Sequence, residues 1–255
     1  MDVISIIGLV VGLGAILGGQ FLEGGHLSSL VQPTAFVIVM GGTFGAVMLQ
    51  SPFATFMQGM GMVKWVFTPP ALGQRELIDR MAEWSHAARK EGLLALEGYL
   101  AELPDPFLRK GLQLLVDGAE PERVREVLEV EIGVQEEQLK LAAKIWESAG
   151  GYAPTIGIIG AVLGLIHVMS NLSDTAKLGA GIAAAFVATI YGVGSANIFF
   201  LPFANKIKVV TQHEIHEAEM ILEGVHMIQV GHNIHIIRRR LSASLDEKSR
   251  AKLED

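Results

Sequence analysis

His213, His216, His226, His232 and His235 crowd the C-terminal region, and histidine is the side chain best suited to holding a metal or passing a proton near neutral pH. His213 and His216 stand three residues apart, on one face if the segment is helical. A structural zinc asks for four such ligands, a catalytic one for three and a water. No Asp, Cys or third histidine completes a set here, so the reading is no metal. His167 differs, being the only histidine inside an expected membrane span. A proton relay is the sharp reading, but its place near the end of that stretch favours a packed interfacial histidine. No phosphate-binding glycine loop, catalytic triad or deaminase-type motif is present. With no cysteine in the chain, thiolate chemistry and disulfides are excluded. The sequence therefore reads as neither an enzyme nor a cofactor protein.

The elements that must position these groups are unusually apolar. Half of the 255 residues are hydrophobic, and the mean hydropathy of +0.40 exceeds what a soluble domain of this size carries. Four runs, Val3–Leu22, Pro33–Gln50, Gly151–Ser170 and Leu178–Phe203, contain no Asp, Glu, Lys or Arg. Each is long enough, at ~1.5 Å per residue, to cross a ~30 Å hydrocarbon layer as a helix. If ions move through such a protein, a partner must supply the titrating carboxylate. The opening Met1-Asp2 lacks the basic n-region of a cleaved signal peptide, so the first span is expected to be retained.

Lysine and arginine set the orientation. None precedes Lys64, the loop at 23–32 has none, and the loop at 171–177 has only Lys177. The rest lie between 51 and 150 or after 203. Both termini and the central segment are therefore expected in the cytoplasm. The net charge of −7 belongs to these polar segments and says nothing of nucleic acid.

The expected organisation is an all-α membrane protein. Residues 1–50 hold spans 1 and 2, 51–150 a helical cytoplasmic domain, 151–203 spans 3 and 4, and 204–255 a cytoplasmic helix and tail. Gly8, Gly12, Gly14 and Gly18 in span 1, and Gly157, Gly160 and Gly164 in span 3, are the small residues that let membrane helices approach closely. Residues 52–67 read as an interfacial stretch leaving the membrane. Leu77, Met81, Trp84 and Ala88 recur at helical spacing. Pro121 opens a second helix, with Val124, Leu128, Ile132, Leu139, Ala143 and Trp146 as its apolar stripe. The uncharged run at 178–205 would be ~42 Å long as a helix and is expected to tilt or project inward. One helix is expected over 206–240, followed by a polar, frayed end from Ser242.

Several long motifs, in order along nearly the whole chain, now carry a resemblance. They are Leu22-Glu23-Gly24-Gly25-His26; Ala88-Arg89-Lys90-Glu91-Gly92-Leu93-Leu94-Ala95-Leu96-Glu97; Lys110 to Gly118; Gly150 to His167; and Phe186 to Ser195 with Asn197. The chain resembles the MotA-type stator subunits of the bacterial flagellar motor, with its nearest look to the MotC branch. The resemblance implies an inner-membrane complex, five such subunits around a dimer of a single-span MotB- or MotD-type partner whose aspartate carries the ion. Such an Asp costs a few kcal/mol at a bilayer centre and should face a polar lining. The resemblance further implies that Arg89, Lys90 and Glu97 meet the rotor switch protein FliG, and that Pro154 and Pro202 are helix-start prolines beside the ion path. Thr189 matches a polar hydroxyl of the fourth span. Ala161 stands where sodium-driven members carry threonine. It offers no oxygen to a hard cation, so H+ is the expected ion. In the tail, Gly231-His232-Asn233-Ile234 replaces the usual Gly-x-Asn-Pro and puts the turn geometry in question. A TolQ/ExbB-type energiser, a sodium-driven stator and a passive scaffold are the alternatives. The four spans and the 88–97 motif argue against the first.

Overall fold

The computed structural model describes residues 2–70, 73–170 and 175–245. The loop expected at 171–177 falls largely outside them, as does the tail from residue 246. Among the described residues the structure is all-helical. Four of these described helices are long and apolar enough to cross a membrane: Val3–Leu22, Leu27–Gln50, Pro121–Met169 and Gly181–Gln229.

Helix α1 spans Val3–Leu22, and Asp2 caps it by accepting from the Ile4 and Ser5 amides, which meets two of the four donors a helix start leaves open. A short 3₁₀ turn, Leu27–Leu30, leads to α2, Pro33–Phe36, whose first position Pro33 fills. A π turn over Val37–Gly41 joins it to α3, Gly42–Gln50. The chain then breaks at Ser51-Pro52, so the next stretch is not a continuation of span 2. It forms α4, Phe53–Met62, and α5, Lys64–Phe67. Next come α6, Gln74–Glu91, a 3₁₀ turn over Leu93–Leu96, α7, Glu97–Leu100, and α8, Pro106–Val116. Helix α9 runs unbroken over Pro121–Met169. Helix α10, Thr175–Gly194, passes through a π turn, Ser195–Phe200, into α11, Leu201–Gln229. Helix α12 closes the described chain at Ile234–Ala243.

Three expectations change. Pro154 and Pro202 do not start helices. Pro154 lies inside α9, and Pro202 is the second residue of α11, which follows the π turn without a break. A helix tolerates an interior proline in a membrane when its neighbours or a local π adjustment re-satisfy the freed groups. The 206–240 helix is two helices, parted at Gly231, whose φ of 81° is open to glycine at little cost. Asn233 then caps α12 through His235, so Ile234 takes the position a proline would fill and the turn survives the substitution. Finally, Ser242 and Ala243 still belong to α12, and Leu245 is buried. The polar end begins later than expected.

The chain divides into two compact units, Met1–Pro70 with Gln138–Val210, and Ala71–Glu137 with Thr211–Asp255. In the first, the Trp146 indole donates to the Gly59 carbonyl at 2.8 Å, and its ring packs among Phe44, Phe200 and Phe203. In the second, the expected apolar stripe is the core: Leu77, Met81, Trp84, Val124 and Leu128 are all buried. Asp105 caps α8 at the Phe107 and Leu108 amides. Buried Ile237 and Leu241 hold α12 to its unit, and at the rim Arg238 pairs with Asp79 at 2.9 Å and Arg240 with Glu223 at 3.1 Å.

Candidate functional site

Span 3, the C-terminal half of α9, and span 4, α10 with its π turn, meet along a seam of small residues. A Cβ placed on Gly157 would lie 2.9 Å from the Ala188 carbonyl oxygen and 3.0 Å from the Gly192 Cα. One placed on Gly192 would lie 2.6 Å from the Ala153 carbonyl oxygen. Gly160 faces the Ala188 methyl and Gly164 faces Ala185 in the same way. The two helices therefore touch backbone to backbone, which dispersion and Cα–H contacts favour where no hydrophobic force drives helices together in lipid.

The seam fixes the expected ion-path residues. Ala161 and Thr189 each sit one residue beyond the Gly160–Ala188 contact, and both are half-buried. The Thr189 hydroxyl turns toward the Ala185 carbonyl of its own helix, at a long 3.5 Å. Pro154 lies one turn past Gly150, and Gly150 packs against Leu201, where a Cβ would come within 2.5 Å of the Leu201 side chain. Leu201 is the neighbour of Pro202. Pro154 adjoins Ala153, whose carbonyl faces Gly192, whereas Pro202 adjoins Leu201, which faces Gly150, so the two prolines stand at different levels of the helix pair. Each proline lacks an N–H, so the carbonyls of Gly150 and Ile198 lose their usual helical donors.

At the end of the pair nearest Leu30, spans 2, 3 and 4 enclose a cavity of about 410 Å³, lined by Thr34, Ile38, Leu163 and His167 among others. His167 lies in the last turn of α9 and is exposed in the protomer. Tyr191 ties span 4 to the residues that precede span 2. Its hydroxyl donates to the Leu30 carbonyl and accepts from the Gln32 amide at 3.2 Å. This clamp was not foreseen, although a lone phenol in a Gly/Ala/Val span signals a buried hydroxyl in need of partners. Among the described residues no group of three or more His, Asp or Glu is arranged to hold a metal. His216 instead contacts the Ser244 carbonyl at 2.8 Å.

The charged trio divides in two. Arg89 and Lys90 are in the last turn of α6 and are exposed. Helix α6 ends at Gly92, with φ 88°, and Glu97, also exposed, begins α7 beyond the 3₁₀ turn. A single helix through Gly92 would have set Glu97 near the side of Arg89. The break removes that register, because Gly92 reverses the backbone into a region that ends helices.

This geometry, membrane-length apolar runs without acids and a close-packed pair carrying interior prolines, fits a multi-pass membrane protein, and the matching families supply its class. Residues 100–220 match the MotA/TolQ/ExbB proton channel family, and residues 6–92 match the Motility protein A N-terminal family. Motility protein A of Bacillus subtilis (strain 168) is 36% identical over 256 residues, covering 100% of this chain and 95% of the relative. Motility protein A of Helicobacter pylori (strain ATCC 700392 / 26695) is 35% identical over 241 residues, covering 94% of each. The solved C. jejuni MotAB structure superposes with a TM-score of 0.90 at 31% identity, covering 97% of both chains. The flagellar MotAB stator complex from Bacillus subtilis gives 0.87 at 35% identity, covering 98% of this chain and 99% of that one. The chain belongs to the MotA family.

Proposed function

We propose that this protein is the ion-conducting stator subunit of a bacterial flagellar motor, coupling proton flow, in complex with a MotB-type partner, to torque on the rotor switch protein FliG. The observation that carries the reading is the charge pattern of the spans. Four membrane-length runs hold no carboxylate, so a subunit of a proton channel family must borrow its titrating group from another chain. In the proposed assembly five copies surround a dimer of the partner in the bacterial inner membrane, and the partner's aspartate faces the span 3–span 4 pair. Both termini and the residue 51–150 segment lie in the cytoplasm, and the Leu30 end faces outward.

Pro154 and Pro202 give that pair its working shape, with Ala161 and Thr189 beside the ion path. The absence of a hydroxyl at Ala161 supports protons over sodium, since a hard cation needs oxygen ligands. Arg89, Lys90 and Glu97 are the rotor contact. Exposed charge contacts are worth ~0–1 kcal/mol each, which suits repeated steering of a moving surface better than tight binding. The test is complementation of a stator-deletion strain with this chain and a MotB-type partner, with swimming speed followed against sodium and a protonophore. Speed that is independent of sodium and collapses with the protonophore supports the reading. Sodium-dependent speed that resists the protonophore overturns the proton assignment, and no motility with an assembled complex overturns the stator role.

A further inference from the structure

Ile198 and Lys206 stand four residues on either side of Pro202, and span 1 reaches both. Midway along α1, Gly12 faces Ile198, with 3.7 Å from a Cβ placed there to the Ile198 Cγ2. At the start of α1, the Asp2 carboxylate forms an ion pair with the Lys206 ammonium. Asp2 is little exposed, with 16% of its side chain accessible, and is held from several directions. One oxygen, Oδ1, caps α1 at 3.1 Å from the Ile4 amide. The other, Oδ2, accepts from the Ser5 hydroxyl at 3.2 Å and meets Lys206. The Asp2 amide donates to the Phe67 carbonyl at 2.7 Å. The Phe67 ring stacks edge-on against Phe203, with 5.8 Å between centroids, and Phe203 is the residue after Pro202.

We propose that Asp2 and Lys206 are positioning residues that clasp the start of span 1 to the far side of the proline break in span 4, so that span 1 braces this break from both ends. The inference rests on the reading of Pro202 as a working element, and its geometry stands on contacts apart from the partner's site. Span 4 carries a carbonyl deprived of its usual amide donor and a π turn at this level, the two features that soften a helix. A brace anchored at Ile198 and at Lys206 limits that softness to movement of the break against a held neighbour. Span 1 is thus a structural reference for span 4, in addition to being a face toward lipid.

The test uses membranes containing the full complex with its MotB-type partner. Because the chain has no native cysteine, the pair Gly12→Cys and Ile198→Cys reports the brace directly by disulfide yield under a mild oxidant. A Cβ on Gly12 lies 3.7 Å from the Ile198 Cγ2, which occupies the position a cysteine sulfur can take, so the two sulfurs come within reach of each other. Asp2→Asn keeps the capping oxygen, since Asn caps as well as Asp, and removes only the charge. Asp2→Asn and Lys206→Gln should each lower the cross-link yield by about two- to fivefold and slow rotation, while co-purification with the partner stays at the parent level. The double variant should be no worse than the poorer single, and Lys206→Arg should restore both readouts. Unchanged cross-linking in both neutral variants, or additive losses in the double variant, overturns the proposal. Pro202→Ala is run alongside. If it rotates at full speed while the neutral variants lose the cross-link, the reading of Pro202 fails and the clasp stands.

Discussion

Alanine at Gly192 puts the span 3–span 4 seam to a direct test. Its methyl would lie 2.6 Å from the Ala153 carbonyl oxygen and close to the Gly157 Cα. Carbon and oxygen rest at about 3.3–3.6 Å when they touch, so the helices must part locally by about 0.7 Å or more. Both obstacles are backbone and neither can turn aside as a side-chain tip would. Overpacking of this kind costs typically 1–3 kcal/mol. Taken as about 2 kcal/mol, it lowers the melting temperature of a chain this size by about 4–8 °C. Gly157→Ala should behave alike, with its methyl 2.9 Å from the Ala188 carbonyl oxygen. The two together should cost less than their sum, because one separation of the helices relieves both. Gly14→Ala is the control, with nothing within 4 Å of its Cβ, and helix propensity alone favours alanine there by ~1 kcal/mol. The assay is thermal unfolding of the purified complex, with proton flux measured on the same preparations. If Gly192→Ala melts with Gly14→Ala, the seam is not the close contact described.

Arg89→Glu combined with Glu97→Lys should cut motility severely while proton flux through the assembled complex persists, whereas single neutralisations should cost little, at ~1 kcal/mol or less each. Normal swimming, or joint loss of flux and assembly, refutes the rotor-contact role. Pro154→Ala and Pro202→Ala should assemble with the partner yet rotate poorly, and full speed in both returns them to simple helix punctuation. The Asp2 carboxyl is held below the ordinary carboxylate range, chiefly by its hydrogen bond from Lys206. Its contribution is therefore complete above the unfolded carboxyl pKa and is lost only as pH falls through the lower, folded value. The melting difference between the parent and Asp2→Asn should accordingly hold from neutral pH down to the usual aspartate range and close below it. A difference that closes near pH 6 contradicts this.

The spans could be read because absence of charge over membrane length is a local property, and the stripe through Val124, Leu128 and Ile132 could be read because helical periodicity is local too. The helix breaks were only half legible. Gly92 and Gly231 supply the conformation that ends a helix, yet glycine is equally common inside these spans, and only packing decides which glycine turns and which one lies flat on a neighbour. The interior placement of Pro154 and Pro202 escaped for the opposite reason. Proline biases the preceding residue away from helix, yet both segments stay helical among closely packed neighbours, which no local window of sequence contains. The Asp2–Lys206 pair and the Tyr191 clamp join residues from opposite ends of the chain, and no window of sequence contains both partners. Of the candidate site, the residue identities came from motifs. The division of Arg89 and Lys90 from Glu97 came only from the fold.

Where two helices touch through bare backbone, there is no gap for a water molecule, and a proton travelling by hydrogen-bonded water has no route between them. Spans 3 and 4 therefore act as a single sealed wall, at least along the stretch from Ala153 to Ala188 and Gly192. On the proposed reading, the proton then runs over the outside of that wall, along the face where the partner chain stands, and the seam serves as the wall's weld.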